Sequence, residues 1–160
     1  NPAGVQRQLI GAYSPDAARR LAYALALLRP EHAMVVHSLD GLDELSPCGP
    51  SHIYEVRAGT INELEIDPQQ VGVERVPRNA LAGGDASYNA TVIEEVLLGQ
   101  PGPRLEAVVL NAGAVAVVGG IASDIASGVL LAREALRSGA AYTALRKLRE
   151  CSVAQAQEVR

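Results

Sequence analysis

The sequence predicts an α/β fold in which a mostly parallel β-sheet is flanked by helices. Near the amino terminus, a strand-like stretch, a helical stretch and a second strand-like stretch follow one another, which is the order of a βαβ unit. Hydrophobic residues make up 48% of the 160 residues, and a chain of this length can bury a substantial core. Because Phe and Trp are absent, that core must be aliphatic. We therefore expect residues 1–160 to form a single α/β domain.

The βαβ unit is predicted from the stretches RQLIGAY, SPDAARRLAYALALL and AMVVHS. Ser14 can cap the helix, and Pro15 suits its first position because the missing N–H is not needed there. The apolar run AMVVHS is typical of a strand that is buried in a parallel sheet. Three leucines recur at helical spacing and predict the buried face of the helix: Leu21, Leu25 and Leu28.

The middle of the chain predicts an antiparallel hairpin and then an irregular connector. Residues 52–66 alternate partly with period two, with a turn near Ala58 and Gly59. Residues 67–84 contain two prolines and three glycines, which disfavour a long regular element. A helix is expected next, either capped by Asp85 or containing a capping box of Thr91 and Glu94.

The last part of the chain predicts three helices. Residues 104–120 are β-branched enough for a strand, but we favour a helix because four residues share one helical face: Leu105, Val108, Val109 and Ala112. Two helices are predicted over residues 123–151, separated at Ser138 and Gly139. Their apolar stripes are Ile125, Val129, Ala132 and Leu136 in the first, and Tyr142, Leu145 and Leu148 in the second.

Composition argues against several kinds of partner. With 14 basic and 18 acidic residues the net charge is −4, so nucleic acid and anionic membranes are disfavoured. No apolar run approaches the roughly 20 residues of a membrane-spanning helix, and the start NPAGVQRQ lacks the pattern of a signal peptide. Cys48 and Cys151 are too far apart in sequence to suggest a disulfide framework. We therefore expect a cytoplasmic protein.

The stretch HSLDGLDELSPCGP, residues 37–50, holds the candidate site. Ligands of α/β sheets gather beyond the carboxyl ends of the strands, and this stretch follows a predicted strand. Asp40, Asp43 and Glu44 offer the hard oxygen ligands that Mg²⁺ takes together with substrate phosphates. The alternative is that these acids cap a turn or face solvent.

Other polar residues carry weaker signals. His37 has no identifiable acidic or thiol partner, so we assign it no catalysis. Cys48 lies between Pro47 and Gly49 with no nearby Lys or Arg that would activate it, and we expect an inert thiol. The stretch AGGD at 82–85 is either an anion-binding nest of backbone N–H groups or a simple turn.

Five segments, in order, resemble the carboxyl-terminal part of the anthranilate phosphoribosyltransferase family: NPAGVQRQLIGAY, VVHSLDGLDELSPCGP, LAGGDASYNA, VLNAGA and REALRSGAA. They cover nearly the whole chain, and the pattern HxxDGLDE followed by SPxGP is fairly specific. The resemblance implies the carboxyl-terminal portion of a nucleoside phosphorylase/phosphoribosyltransferase-like fold. It also implies transfer of a phosphoribosyl group from phosphoribosyl pyrophosphate (PRPP) to the amine of anthranilate, a step of tryptophan biosynthesis.

The resemblance implies that the Asp–Glu pair of the motif, here Asp43 and Glu44, binds Mg²⁺. Family members carry upstream a helical domain, a GTGGD loop for pyrophosphate, a KHGN stretch and an arginine that engages anthranilate, and none of these lies within the 160 residues. Smaller departures are Ser38, where the family usually has Gly, and Cys48, where Thr is common.

We therefore expect a domain that is incomplete on its amino-terminal side and inactive alone, part of a protein that is a homodimer when complete. Missing strands would leave an unpaired sheet edge, which promotes association. A catalytically inactive binding or structural relative with the same fold remains the alternative.

Overall fold

The computed structural model describes residues 4–158 and confirms the α/β class. The described strands are β1 (Arg7–Gly11), β2 (His32–Ser38), β3 (Ser51–Arg57) and β4 (Thr60–Ile66). The described helices are α1 (Pro15–Leu28), α2 (Ala86–Leu97), α3 (Pro103–Val118), α4 (Ile125–Arg137) and α5 (Ala140–Glu158). Two short 3₁₀ helices, Pro68–Val71 and Arg78–Leu81, lie in the connector that the sequence predicts to be irregular.

The sheet has the strand order β1-β2-β3-β4 and is mixed. Strands β1 and β2 are parallel and joined by α1, which confirms the βαβ unit. Strand β3 runs antiparallel to both β2 and β4, so parallel pairing is confined to β1 and β2 among the described strands. The hairpin of β3 and β4 is confirmed, with Ala58 (φ 49°) and Gly59 (φ 96°) at its turn, where positive φ values match the twist of the strands.

Helices cover both faces of the sheet, and alternate side chains of β2 point to opposite sides. Met34 and Val36 join the larger core, which is completed by α3 and α4, whereas Ala33 and Val35 join the smaller core beneath α1. Strand β2 is buried along its whole length, as the continuous apolar run predicts. This burial fixes the position at which the chain leaves β2 and enters the loop of residues 39–50.

Helix α1 is capped as predicted, because the Ser14 hydroxyl accepts a hydrogen bond from the N–H of Ala17 at 3.2 Å. Its buried face is different from the predicted one. Leu21 and Leu28 are 38% and 71% exposed, so that part of the prediction is wrong. The face against the sheet consists of Ala18, Ala22 and Leu25, because the small alanines allow the helix backbone to approach β2 and β3 closely.

The remaining helices are confirmed, and their buried faces are partly as predicted. Asp85 caps α2 by accepting a hydrogen bond from the N–H of Tyr88 at 2.8 Å, which decides between the two predicted caps. In α3, Val108 is exposed, and the buried face includes Leu105, Val109, Leu110, Ala114 and Val117.

Helices α3 and α4 cross closely at two glycines. A Cβ atom on Gly128 would collide with the backbone of Gly113, so neither position tolerates a larger residue without separating the helices. The contact keeps α3 fixed between α4 and the sheet. None of the helices in residues 4–158 is both long enough and apolar enough to cross a membrane.

Candidate metal site after strand β2

The candidate site is the loop of residues 39–50, which begins at the carboxyl end of β2. His37 lies one residue before the end of this buried strand, and its Nδ1 donates a hydrogen bond to the carbonyl oxygen of Ala12 at 2.8 Å. This hydrogen bond links β2 to the residue that follows β1, and it satisfies the Nδ1 donor of a buried side chain. This hydrogen bond gives His37 a structural contact at the end of β2.

Asp40 organises the loop from within. Its carboxylate accepts hydrogen bonds from the hydroxyl groups of Ser38 and Ser46, the latter at 2.7 Å, and the Arg78 guanidinium bonds to its backbone carbonyl. Burial acts to raise the pKa of Asp40, but the bonds from Ser38, Ser46 and the Leu42 backbone outweigh it and hold that pKa below its ordinary value. Asp40 is thus occupied by protein donors.

Ser38, one of the two departures from the family pattern, has a specific place in this loop. Its hydroxyl accepts a hydrogen bond from the N–H of Leu42 at 2.8 Å and donates to Asp40. The backbone N–H of Ser38 also donates to the Leu42 carbonyl oxygen at 3.0 Å, which closes the tight turn around Gly41. The serine therefore stabilises the turn from which Asp43 and Glu44 project.

Asp43 and Glu44 differ from Asp40 because both are exposed to solvent. Among the side chains that the structure describes, none donates a hydrogen bond to either carboxylate or forms a salt bridge with it. Although Glu44 is exposed as a residue, partial desolvation of its carboxyl group raises its pKa, and the negative charges of Asp43 and Asp40 raise it further. A cation near these carboxylates would relieve the repulsion.

The donor set suits Mg²⁺ bound with shared ligands. In the described part of the chain, no cluster of three or more His, Cys, Asp or Glu residues forms a complete metal cage. Mg²⁺ commonly uses one or two carboxylates and fills its remaining positions with water and substrate phosphate. Two adjacent free carboxylates at the end of a buried strand fit that requirement. Their role as ligands remains a prediction at this point.

Two residues outside the loop, Gly11 and Asn111, hold it in place. Gly11, at the end of β1, touches the backbone of Asp43 so closely that a Cβ atom there would overlap the Asp43 carbonyl. Asn111 of α3 forms hydrogen bonds with both backbone groups of Leu45. Neither contact has a local sequence signal, because each joins positions that are distant along the chain.

An open pocket of about 510 Å³ lies between the loop and α3. Most of its wall is apolar, and Glu44, Arg104 and Asn111 are its polar side chains. Arg104 is held in place by hydrogen bonds to the Ala82 carbonyl at 2.7 Å and the Tyr88 hydroxyl at 2.8 Å. Glu44 is thus the acidic side chain that faces this pocket.

The AGGD stretch at 82–85 forms a turn that binds its own side chains. The N–H and carbonyl of Gly84 are both bonded to the amide of Asn89, each at 2.9 Å, and Asp85 caps α2. Two of the donors that an anion nest would need are therefore in use, at Gly84 and Tyr88. Of the two predicted possibilities, the structure favours the turn.

Comparison with known proteins assigns the family. The profile described as "Glycosyl transferase family, a/b domain" matches residues 1–142. The chain belongs to this family. A relative from Desulfatibacillum aliphaticivorans named anthranilate phosphoribosyltransferase is 44% identical over 148 residues, which are 92% of this chain and 44% of the relative. The resemblance found in the sequence is confirmed.

Solved structures of this family have the same fold. The anthranilate phosphoribosyltransferase of Thermus thermophilus has a TM-score of 0.83 and 37% identity, over 92% of this chain and 43% of its own. The Saccharomyces cerevisiae enzyme in complex with PRPP and Mg has a TM-score of 0.79 and 25% identity, over 88% of this chain and 41% of its own. The chain therefore spans less than half the length of the relatives that it matches.

Proposed function

We propose that this chain is the carboxyl-terminal part of an anthranilate phosphoribosyltransferase, which transfers a phosphoribosyl group from PRPP to anthranilate in tryptophan biosynthesis. The observation that carries the proposal is the free pair Asp43 and Glu44, held at the carboxyl end of β2 in a chain of this family. The names of relatives at 44% identity support the choice of substrates.

Asp43 and Glu44 are the proposed ligands of Mg²⁺. The S. cerevisiae relative is described in complex with PRPP and Mg, which supports this cofactor for the family. Bound Mg²⁺ supplies positive charge that stabilises the departing pyrophosphate. The chain's own contribution is to place two negative charges side by side without protein partners, while the Asp40 network keeps the turn beneath them rigid.

The rest of the proposed active site belongs to residues outside this chain. We propose that an upstream region supplies the glycine-rich pyrophosphate loop, the anthranilate-binding arginine and a helical dimerisation domain. The short span of the chain relative to its relatives supports this. On this proposal, residues 1–160 are one incomplete α/β domain that is inactive alone, and the complete protein is a cytoplasmic homodimer. The free thiols of Cys48 and Cys151 agree with a reducing compartment.

The test is turnover by this chain mixed with a separately produced amino-terminal half, followed as the Mg²⁺-dependent loss of anthranilate fluorescence after PRPP is added. Asp43→Asn should lower the rate by about 100-fold or more, the scale observed when an electrostatic partner of a transition state is removed. Asp16→Asn, an exposed carboxylate of α1, serves as the control and should keep the wild-type rate.

Two results would contradict the proposal. A mixture shown to be folded and associated that gives no turnover would favour the inactive binding or structural relative. Full activity in Asp43→Asn would remove the metal role from this pair while leaving the reaction itself in place.

A further inference from the structure

The side-chain amide of Asn111 is paired with the backbone of the residue that follows Glu44. The N–H of Leu45 donates to Asn111 Oδ1 at 3.0 Å, and Asn111 Nδ2 donates to the Leu45 carbonyl at 2.8 Å. The second hydrogen of Nδ2 bonds to the Ala107 carbonyl within α3 at 3.0 Å. Both polar backbone groups of Leu45 are thus held by one side chain from a helix 66 residues away in sequence.

We propose that Asn111 is a positioning residue that holds Asp43 and Glu44 in the geometry for divalent-cation binding. The inference rests on the proposed function, because it assumes that these carboxylates bind the metal. No described side chain donates a hydrogen bond to either carboxylate, so the contacts that place these residues act on the loop backbone. Fixing the backbone at Leu45 therefore fixes the origin of the Glu44 side chain.

Both residues of the contact between Asn111 and Leu45, referred to as the anchor, are held firmly in the fold. The Leu45 side chain is 0% exposed and lies in the larger core, so the residue is held by its side chain as well as its backbone. Asn111 lies in the middle of α3, between the buried residues Leu110 and Ala114. A loop tied to such a helix loses little conformational entropy when the cation binds, which favours affinity.

The opposite side of the loop is fixed by β1. The backbone of Asp43 packs directly on Gly11, where no side chain would fit. The two acidic residues therefore lie between a contact with β1 and a hydrogen-bonded anchor on α3. Removing the anchor on α3 should let the loop move away from β1 while the sheet remains intact.

The side-chain amide of Asn111 matches the two backbone groups of Leu45 that it contacts. A primary amide presents one acceptor and two donors, which match a peptide N–H and a peptide C=O at the same time. A residue without the amide leaves the backbone groups of Leu45 unpaired, and glutamine carries the same groups one methylene farther from α3. Both replacements should displace the loop.

The experiment measures Mn²⁺, used in place of Mg²⁺, binding to the ¹⁵N-labelled 160-residue chain by paramagnetic broadening of the amide signals of residues 43–45. Asn111→Ala should weaken Mn²⁺ binding by about 10-fold, as expected when a group that orients a metal ligand is lost. Asn89→Ala is the matched control, because Asn89 makes the same pair of bonds with Gly84 in another loop. That variant should bind Mn²⁺ like the wild type.

Unfolding by urea is measured for each variant, so that a loss of affinity is assigned to the loop only when the chain is folded. If Asn111→Ala does not fold, Asn111→Gln takes its place, and it should also weaken Mn²⁺ binding because its amide is displaced from the Leu45 backbone. Wild-type affinity in the folded variant would overturn the inference. Asp43→Asn distinguishes failure of the metal-ligand proposal from failure of the positioning proposal. Unchanged Mn²⁺ binding by Asp43→Asn would refute the metal assignment, and the positioning role of Asn111 with it.

Discussion

Among the residues whose burial is described, Glu106 is the buried acid, and it joins three parts of the fold. From α3 it accepts two hydrogen bonds from Arg133 of α4, at 3.0 and 2.7 Å, and a third from the N–H of Glu74 in the connector at 2.9 Å. Arg133 also donates to the Gly72 carbonyl at 3.1 Å. A single ion pair thus fastens the connector of residues 67–84 to the helices beneath it.

Glu106→Gln should lower the free energy of unfolding by about 1–3 kcal/mol at neutral pH, because it weakens bonds to a buried acceptor that water cannot replace. The change is measured by urea denaturation. Glu134→Gln is the control on α4, since Arg137 donates two 2.8 Å bonds to an exposed Glu134 and solvent screens that pair. Equal losses in both variants would contradict the structural role of Glu106.

The same carboxylate predicts a pH dependence. Burial acts to raise the pKa of Glu106, but the bonds from Arg133 and the Glu74 backbone outweigh it, so its pKa lies below the ordinary value of 4.5. A lowered pKa contributes stability that is present above 4.5 and is lost as the pH falls through the folded-state pKa. The difference in free energy of unfolding between wild type and Glu106→Gln should therefore become smaller below pH 4.5. If the difference in free energy of unfolding does not change with pH, the ionised carboxylate of Glu106 is not its cause.

At the scale of single residues, the sequence locates the acidic side chains but does not distinguish those bonded to protein groups from those free to bind a metal ion. The resemblance and the place after a strand both point to Asp43 and Glu44. The occupation of Asp40 depends on Ser46 and Arg78, which are brought to it by loop and tertiary contacts. Asn111 and Gly11 act on the loop from distant elements, so no local spacing identifies them.

At the scale of elements, local signals predicted where helices and strands begin and end. Ser14 and Asp85 cap α1 and α2, and Ala58 and Gly59 form the hairpin turn. The buried face of α1 could not be obtained in the same way. Leucine spacing favoured one stripe, whereas close packing on the sheet selects the neighbouring stripe that contains alanines.

The stability of Leu25→Ala and Leu28→Ala should show which face of α1 is packed on the sheet. Leu25 is 6% exposed beneath the helix, so its truncation should cost about 2–5 kcal/mol of unfolding free energy. Leu28 is 71% exposed, and its truncation should change stability by less than about 0.5 kcal/mol. Urea denaturation of both variants provides the comparison. A larger loss in Leu28→Ala would mean that α1 is rotated about its axis.

At the scale of the whole molecule, the two edges of the described sheet differ in character. Strand β4 is exposed along most of its length and carries Glu63 and Glu65, charges that discourage pairing with another strand. Strand β1 pairs with β2 alone among the described strands and includes the apolar Leu9 and Ile10. The outer backbone groups of β1 form no ladder with another described strand.

We therefore expect the 160-residue chain to self-associate through β1 as its concentration rises, with larger species detected by sedimentation velocity. Gln8→Lys introduces a charge on β1 of the kind that protects natural edge strands, and it should shift the equilibrium toward monomer. Asn62→Lys places the same charge on β4 and should leave association unchanged. Because both variants add one lysine to an edge strand, net charge cannot account for a difference between them. Equal effects would locate the association on another surface, and monomers at every concentration would show that the β1 edge does not drive pairing.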